Sequence, residues 1–190
     1  MVKGEEGWVR RVRVRATEIE TFDRASVIIP NSELITGVVK NWTRANTLGR
    51  IVEFETHFDR HRPDPPPDTW KAKSIPGGGT VYDLGSHLID QVVAIFGLPA
   101  RITGFVGSQR AGEAKIDDSF TVLLHYKDGL MAVCKAAVVS PEVEQLRYWV
   151  RGDKGSFRKF YLDCQEDQLK EGLKPGDEGF GMEDKTRYGT

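Results

Sequence analysis

The sequence lacks most of the features that would fix a small protein by covalent or metal chemistry. It has two cysteines, Cys134 and Cys164, far apart and in no C-x-x-C arrangement. They build neither a disulfide framework nor a zinc centre, and are expected as buried or isolated thiols in a reducing compartment. No apolar run approaches the ~20 residues needed to cross a bilayer, and the N-terminus has no signal-peptide core. Lysine and arginine (27) nearly balance aspartate and glutamate (28). No field of one sign points to nucleic acid or a membrane surface. A cytoplasmic protein without nucleic-acid or membrane partners is the expectation. There is no internal repeat, no P-loop, and no G-x-G-x-x-G run between a strand and a helix of the kind a dinucleotide site requires.

What remains is an ordinary globular balance, 39% hydrophobic and 29% charged over 190 residues. That is enough for one domain with a small module beside it. A seam falls near Leu48-Gly49-Arg50. Residues 1–50 hold nine basic and six acidic residues, a net +3, and the remainder is net −4. Before the seam the pattern is of short strands. Trp8 to Arg15 partly alternates apolar and basic residues, Ala16 to Phe22 continues around Ile19, and Asp23-Arg24 makes a turn. Ala25 to Ile29 is β-branched and stops at Pro30-Asn31-Ser32, and Val38 to Thr43 adds one more strand. This β meander is too small to hold a core alone.

After the seam, Ile51 to Phe58 reads as a strand, and Arg62-Pro63-Asp64-Pro65-Pro66-Pro67 forces an extended loop. Gly77-Gly78-Gly79 opens a helix over about 79–96, in which Val81, Leu84, Leu88, Val92 and Ile95 share one buried stripe. Gly97-Leu98-Pro99 ends it. Strands are predicted at 100–106, 119–125, 131–139 and 146–152, with Lys127-Asp128-Gly129 turning between two of them. Residues from about Gln165 to Thr190, rich in Gly, Asp, Glu and Lys, are expected to be poorly ordered. The fold class is therefore α+β: a predominantly antiparallel or mixed open sheet, one main helix packed on it, and a small N-terminal β meander. Domains are expected at 1–50 and 51–190.

Asp83 and His87 stand four apart and project from one helix face, with Asp90 three further on the same side, away from the apolar stripe. Histidine exchanges a proton near pH 7, and a carboxylate one turn away orients it and stabilises its charged form. The commoner meaning of such a pair is a helix-start carboxylate beside a hydrogen-bonded histidine.

The run Gly77-Gly78-Gly79-Thr80-Val81-Tyr82-Asp83-Leu84-Gly85-Ser86-His87-Leu88-Ile89-Asp90, with Phe58-Asp59-Arg60, Arg62-Pro63 and Trp70 before it, resembles the glucose–fructose oxidoreductase/inositol dehydrogenase/rhizopine-catabolism family. The resemblance runs from about Gly49 to the C-terminus. It implies the C-terminal substrate and oligomerisation domain of an NAD(P)-dependent sugar or polyol dehydrogenase. It also implies that Asp83 and His87 are the catalytic pair, binding substrate hydroxyls and assisting proton removal. Arg60, Trp70 and Asp90 are further candidates for the substrate site, although a surface salt bridge and a loop anchor explain Arg60 and Trp70 equally well. The family's Rossmann half and its Glu-Lys-Pro lysine have no counterpart here, since Lys174-Pro175 follows Leu173. The chain itself is thus expected to hold no cofactor and no metal.

The first segment resembles a different family. Arg15 to Asp23, Ile29-Pro30-Asn31-Ser32-Glu33-Leu34 and Lys40-Asn41-Trp42-Thr43 are similar to the cytoplasmic β domain of small-conductance mechanosensitive channels, over about residues 5–48. The pairing implies a chimera. Three readings stand open: a truncated hybrid without activity of its own, a subunit or fragment of an active sugar dehydrogenase, or a self-associating scaffold. Expected partners are further copies of the chain, joined through the exposed sheet, and a small sugar or polyol.

Overall fold

A computed structural model describes the backbone over residues 7–12, 16–21, 26–30, 47–64, 75–110, 116–162, 164–174 and 177–190, with side chains from residue 47 onward apart from Glu166. The expected strand at Val38–Thr43, and Trp70, lie outside these residues. Near the N-terminus, β1 (Gly7–Val12), β2 (Ala16–Thr21) and β3 (Ser26–Pro30) form an antiparallel three-stranded sheet. A register shift falls between Val9 and Arg11, and Ile19 lies opposite both Val9 and Val27. Pro30 ends β3, as a residue without an N–H should.

The larger unit is a six-stranded sheet. β4 (Ile51–His57) leads into a π-helical turn (Val81–Gly85) and helix α1 (Ser86–Phe96). Then come β5 (Arg101–Gly107), β6 (Ser119–His125), β7 (Met131–Ala137), β8 (Leu146–Gly152) and β9 (Ser156–Phe160). The strand order is β5-β6-β7-β4-β8-β9. β4 sits between β7 and β8, parallel to the first and antiparallel to the second, so the sheet is mixed.

The helix packs on one face of this sheet because its apolar residues recur every three or four positions. Leu84, Leu88 and Val92 are buried, with Val81 and Ile95 packed against the same cluster. Opposite them the strands alternate, sending Phe54 from β4, Phe120, Val122 and Leu124 from β6, and Ala132, Cys134 and Ala136 from β7 into the core. Each fully buried Leu or Val contributes about 1.5–3 kcal/mol of transfer free energy. Cys134 is one of these core residues, and burial pushes its thiol up to about 12, so it is chemically inert.

Two features differ from the sequence expectation. Strand β9 pairs with β8 at the sheet edge, where Phe157 and Phe160 are separated by exposed or basic positions too few to make a clear period. The C-terminal stretch, expected to be poorly ordered, folds back on that edge. It contains α2 (Gln165–Lys170) and a 3-10 turn (Lys185–Arg187). The Lys159 Nζ donates to Glu183 Oε2 at 2.5 Å, and Thr190 exchanges both backbone hydrogen bonds with Arg158, at 2.7 and 2.9 Å. Polar composition misleads here because these contacts lie between segments far apart in the chain. At the other end, Leu48 is buried in the same core, and its carbonyl accepts from the Lys154 N–H at 3.1 Å.

Candidate active site

The helix that carries the motif begins in a fixed way. Gly79 has φ +88, and a Cβ there would lie 2.1 Å from Asp117 Oδ1. Only a glycine takes this backbone and leaves room for that carboxylate. Asp117 then accepts from the Val81 N–H at 2.7 Å, and its carbonyl accepts from the Thr80 N–H at 3.1 Å. The next turn is π-helical: the Ser86 N–H reaches back to the Val81 carbonyl. Gly85 is buried in this turn, where a Cβ would lie 3.4 Å from the Phe120 ring. Such single wide turns recur at functional sites because they re-aim side chains out of the regular ladder. Here Asp83 is half-buried and Tyr82 is turned outward, 65% exposed. His87, one turn on, is also half-buried, while Asp90 is exposed.

Gln91 continues the line of Asp83 and His87 by another four residues, and it is 3% exposed. Its Oε1 accepts from Thr56 Oγ1 at 3.0 Å, and its Nε2 donates to the Tyr148 hydroxyl at 2.9 Å. This chain of neutral bonds ties the helix to β4 and β8. Nearer the helix C-terminus, the Phe54 and Phe96 rings meet edge to face at 5.3 Å. Phe54 and Thr56 thus face successive turns of an oppositely running helix. Two strand residues advance about 6.6 Å, which about 4.4 helical residues also cover. The turn that carries Asp83 lies over β6 and β7, with Gly85 against the Phe120 ring.

The strand keeps its line beyond His57. Phe58, Arg60 and Arg62 donate their N–H groups to Lys135, Ala137 and Val138, at 2.9, 2.9 and 2.7 Å. The Phe58 ring has the Arg60 guanidinium 4.5 Å from its centroid and that of Arg147 at 5.5 Å. Arg147 is the extra residue of a bulge: Leu146 pairs with Phe160 and Tyr148 with Lys159. Bulges re-aim side chains. The Arg147 Nη1 donates to the His57 carbonyl at 2.5 Å and to Thr56 Oγ1 at 3.4 Å, and its guanidinium also stacks 4.7 Å from the Tyr148 ring.

Alternation sends the intervening residues of β4 the other way. There His57 is 7% exposed, its Nε2 2.9 Å from Glu55 Oε2 and its Nδ1 3.3 Å from Asp59 Oδ2. Burial alone would lower the imidazole pKa. Hydrogen bonds to Asp59 and Glu55, with the charges of both, outweigh it and hold the pKa above its ordinary value. Asp59 Oδ1 is buried with no partner among the described residues. Among those residues no group of three or more His, Cys, Asp or Glu side chains is arranged to hold a metal.

The helix start at Gly79 does not fit a dinucleotide. The seat for its pyrophosphate would be the N–H groups at a glycine-rich helix start. At Gly79–Val81 that seat is filled by the Asp117 carboxylate, which would also repel a phosphate. Gln91, Thr56, Tyr148 and Arg147 were not singled out by sequence reasoning, and Phe58 only as part of the run that carries the family resemblance. The first was in reach, as the next step of the four-residue spacing, and Phe58 and Arg60 extend the alternation of β4. Arg147 had no signal, because a bulge is set by the pairing of two strands.

Among the described residues no helix is long and apolar enough to cross a membrane. A family model described as the GFO/IDH/MocA C-terminal domain matches residues 38–158, and one described as the β-domain of mechanosensitive ion channels matches residues 1–44. An uncharacterized oxidoreductase of Schizosaccharomyces pombe is 40% identical over 156 residues, covering 79% of this chain and 42% of that protein. The scyllo-inositol 2-dehydrogenase (NADP(+)) IolW of Bacillus subtilis is 34% identical over 151 residues, covering 80% and 41%. The structure of an oxidoreductase from Bacillus cereus is similar with a TM-score of 0.69 and 32% identity, over 83% of this chain and 50% of that one. The first 46 or so residues have their own relatives: the mechanosensitive channel MscK of Escherichia coli is 46% identical over 46 residues, 24% of this chain and 4% of the channel. The chain spans about two-fifths of the length of the curated oxidoreductases that it matches.

Proposed function

The chain belongs to the GFO/IDH/MocA family through its C-terminal domain, and on that premise we propose that it is the substrate-side part of an oxidoreductase acting on a hydroxyl of a sugar or polyol. The observation that carries this reading is the helical line Asp83–His87–Gln91, whose last member bonds to Thr56 on β4 and Tyr148 on β8. Gln91 is locked to Thr56 and Tyr148, which fixes the helix rotation and so aims the two groups above it. Asp83, as carboxylate, accepts hydrogen bonds from substrate hydroxyls. His87 takes the proton that a hydroxyl loses on oxidation. Arg60, whose guanidinium lies over the Phe58 ring, and the exposed Asp90 are further candidates for the substrate site, while Trp70 lies outside the described residues. The oxidoreductases that share this domain, one of them a scyllo-inositol dehydrogenase using NADP(+), support the choice of substrate class.

In this reading the nucleotide half of the enzyme lies outside the described residues, and residues 51–190, a domain attached to a channel-like β segment over 1–50, do not turn over sugars by themselves. The working compartment is the cytoplasm, in keeping with a core thiol at Cys134. The test is calorimetric titration of the purified chain with a panel of neutral polyols, including scyllo-inositol. Binding is expected, and His87→Ala and Asp83→Asn should each weaken it at least about tenfold, the cost of a hydrogen bond to a charged group. Binding that both variants leave unchanged would contradict the reading.

A second element of the proposal is self-association through the sheet. The edge strand β5 exposes Ile102, Phe105 and Val106 to 61, 63 and 58%. An unpaired, apolar strand edge is a template for another copy. Sedimentation of the wild type against Phe105→Lys tests it: the variant should be monomeric at concentrations where the wild type is not.

A further inference from the structure

We propose that Arg147 is a specificity-determining residue that selects substrates bearing a carboxylate beside the hydroxyl to be oxidised, that is, sugar acids over neutral sugars; this rests on the reading above. The argument begins with what a half-buried guanidinium needs. Its charge is expensive to desolvate without an acidic partner, yet among the described residues Arg147 has no carboxylate within ion-pairing distance. Its neighbours are instead neutral: the His57 carbonyl, Thr56 Oγ1 and the faces of Phe58 and Tyr148. The bonds recorded for Arg147 all leave from Nη1. Among the described residues Nε and Nη2 hold no hydrogen bond.

The group is also preorganised. A bulge aims it, two aromatic faces hold its plane, and a main-chain carbonyl fixes one nitrogen. Little rotamer entropy is left to lose on binding, and the planar fork of a guanidinium matches the two oxygens of a carboxylate. Its position fits the substrate line. Thr56 Oγ1, which it contacts, bonds to Gln91, one turn from His87, and it shares the Phe58 ring with Arg60. The nearest carboxylate in sequence, Glu144, accepts from the Tyr161 hydroxyl, and on β4 Glu55 Oε2 and Asp59 Oδ2 each bond to His57.

The test is calorimetric titration of the chain with D-glucuronate, D-glucose and glucose 6-phosphate at one ionic strength. Glucuronate should bind about tenfold or more tighter than glucose, the gain expected for a charge-assisted pair. Arg147→Gln should collapse that ratio towards one, and Arg147→Lys, which keeps the charge but loses the fork, should retain part of it. Thermal unfolding of both variants checks that they fold. A merely structural role would weaken glucuronate and glucose in proportion, which would overturn the proposal, as would equal binding of the two by the wild type. Tighter binding of glucose 6-phosphate than of glucuronate would overturn the carboxylate assignment. Glucose binding that is lost in His87→Ala while the ratio is one sinks this inference alone; binding of none of the three sinks it together with the functional reading.

Discussion

The two faces of β4 are built from neighbouring residues and behave as different materials. One face presents Phe54, Thr56 and Phe58 to the helix, and its buried polar groups close in neutral bonds among Thr56, Gln91 and Tyr148, with the Arg147 guanidinium at its margin. The other presents Glu53, Glu55, His57 and, just past the strand, Asp59. It closes its charges in pairs: Glu53 with Arg151, and His57 with both flanking acids. The first face is covered by α1. The second is the face that a period-two strand must leave for something else. A buried network of neutral bonds holds geometry without titrating, which suits a face that aims a site. A set of ion pairs responds to pH and salt, which suits a face whose surroundings change.

The comparison predicts costs of different size. The largest loss should come from Phe54→Ala. This ring is fully buried between Phe96 and Tyr148, and its removal should cost about 3–5 kcal/mol in denaturant unfolding. Gln91→Leu should come next, at about 1–3 kcal/mol, because it removes the acceptor of the Thr56 hydroxyl and the donor to the Tyr148 hydroxyl. Polyol affinity should fall with it, since the helix loses its rotational lock.

The His57 effect depends on pH. Its folded pKa lies above 6.5, so charged His57 adds stability that is fully present below pH 6.5 and is lost as pH rises through the folded value. His57→Gln should remove that loss of stability above pH 6.5, read as unfolding midpoints across a pH series. A slope of the same size in the variant would assign it to other groups. The smallest effect should be Arg151→Ala. Its side chain is 48% exposed, and the pair with Glu53 should be worth under about 1 kcal/mol and fade in high salt.

Much of this was legible in the sequence for a simple reason. The alternation Phe120, Val122, Leu124 and the helical recurrence Leu84, Leu88, Val92 are local signals of burial, and both elements occur where the pattern places them. β9 carried too short a period, and the C-terminal stretch is held by Lys159–Glu183 and by Thr190 on Arg158, which no local pattern announces. In the candidate site, Asp83 and His87 were marked by spacing. The π-helical turn beneath them was not, because it is shaped by Asp117 at one end and Phe120 packing at the other. Arg147 owes its place to strand pairing and was hidden for the same reason.

The proposed function requires a polyol site around Asp83 and His87 and a helix start at Gly79–Val81 that seats no nucleotide. The most direct test is an NMR titration of isotope-labelled chain, first with scyllo-inositol and then with NADPH. The account predicts shifts centred on the backbone of Asp83, His87 and Phe58 with the polyol, and none at Gly77–Val81 with the nucleotide. Saturable NADPH shifts at Gly77–Val81 would contradict it, because they would require the Asp117 carboxylate to give up the N–H groups that it now holds.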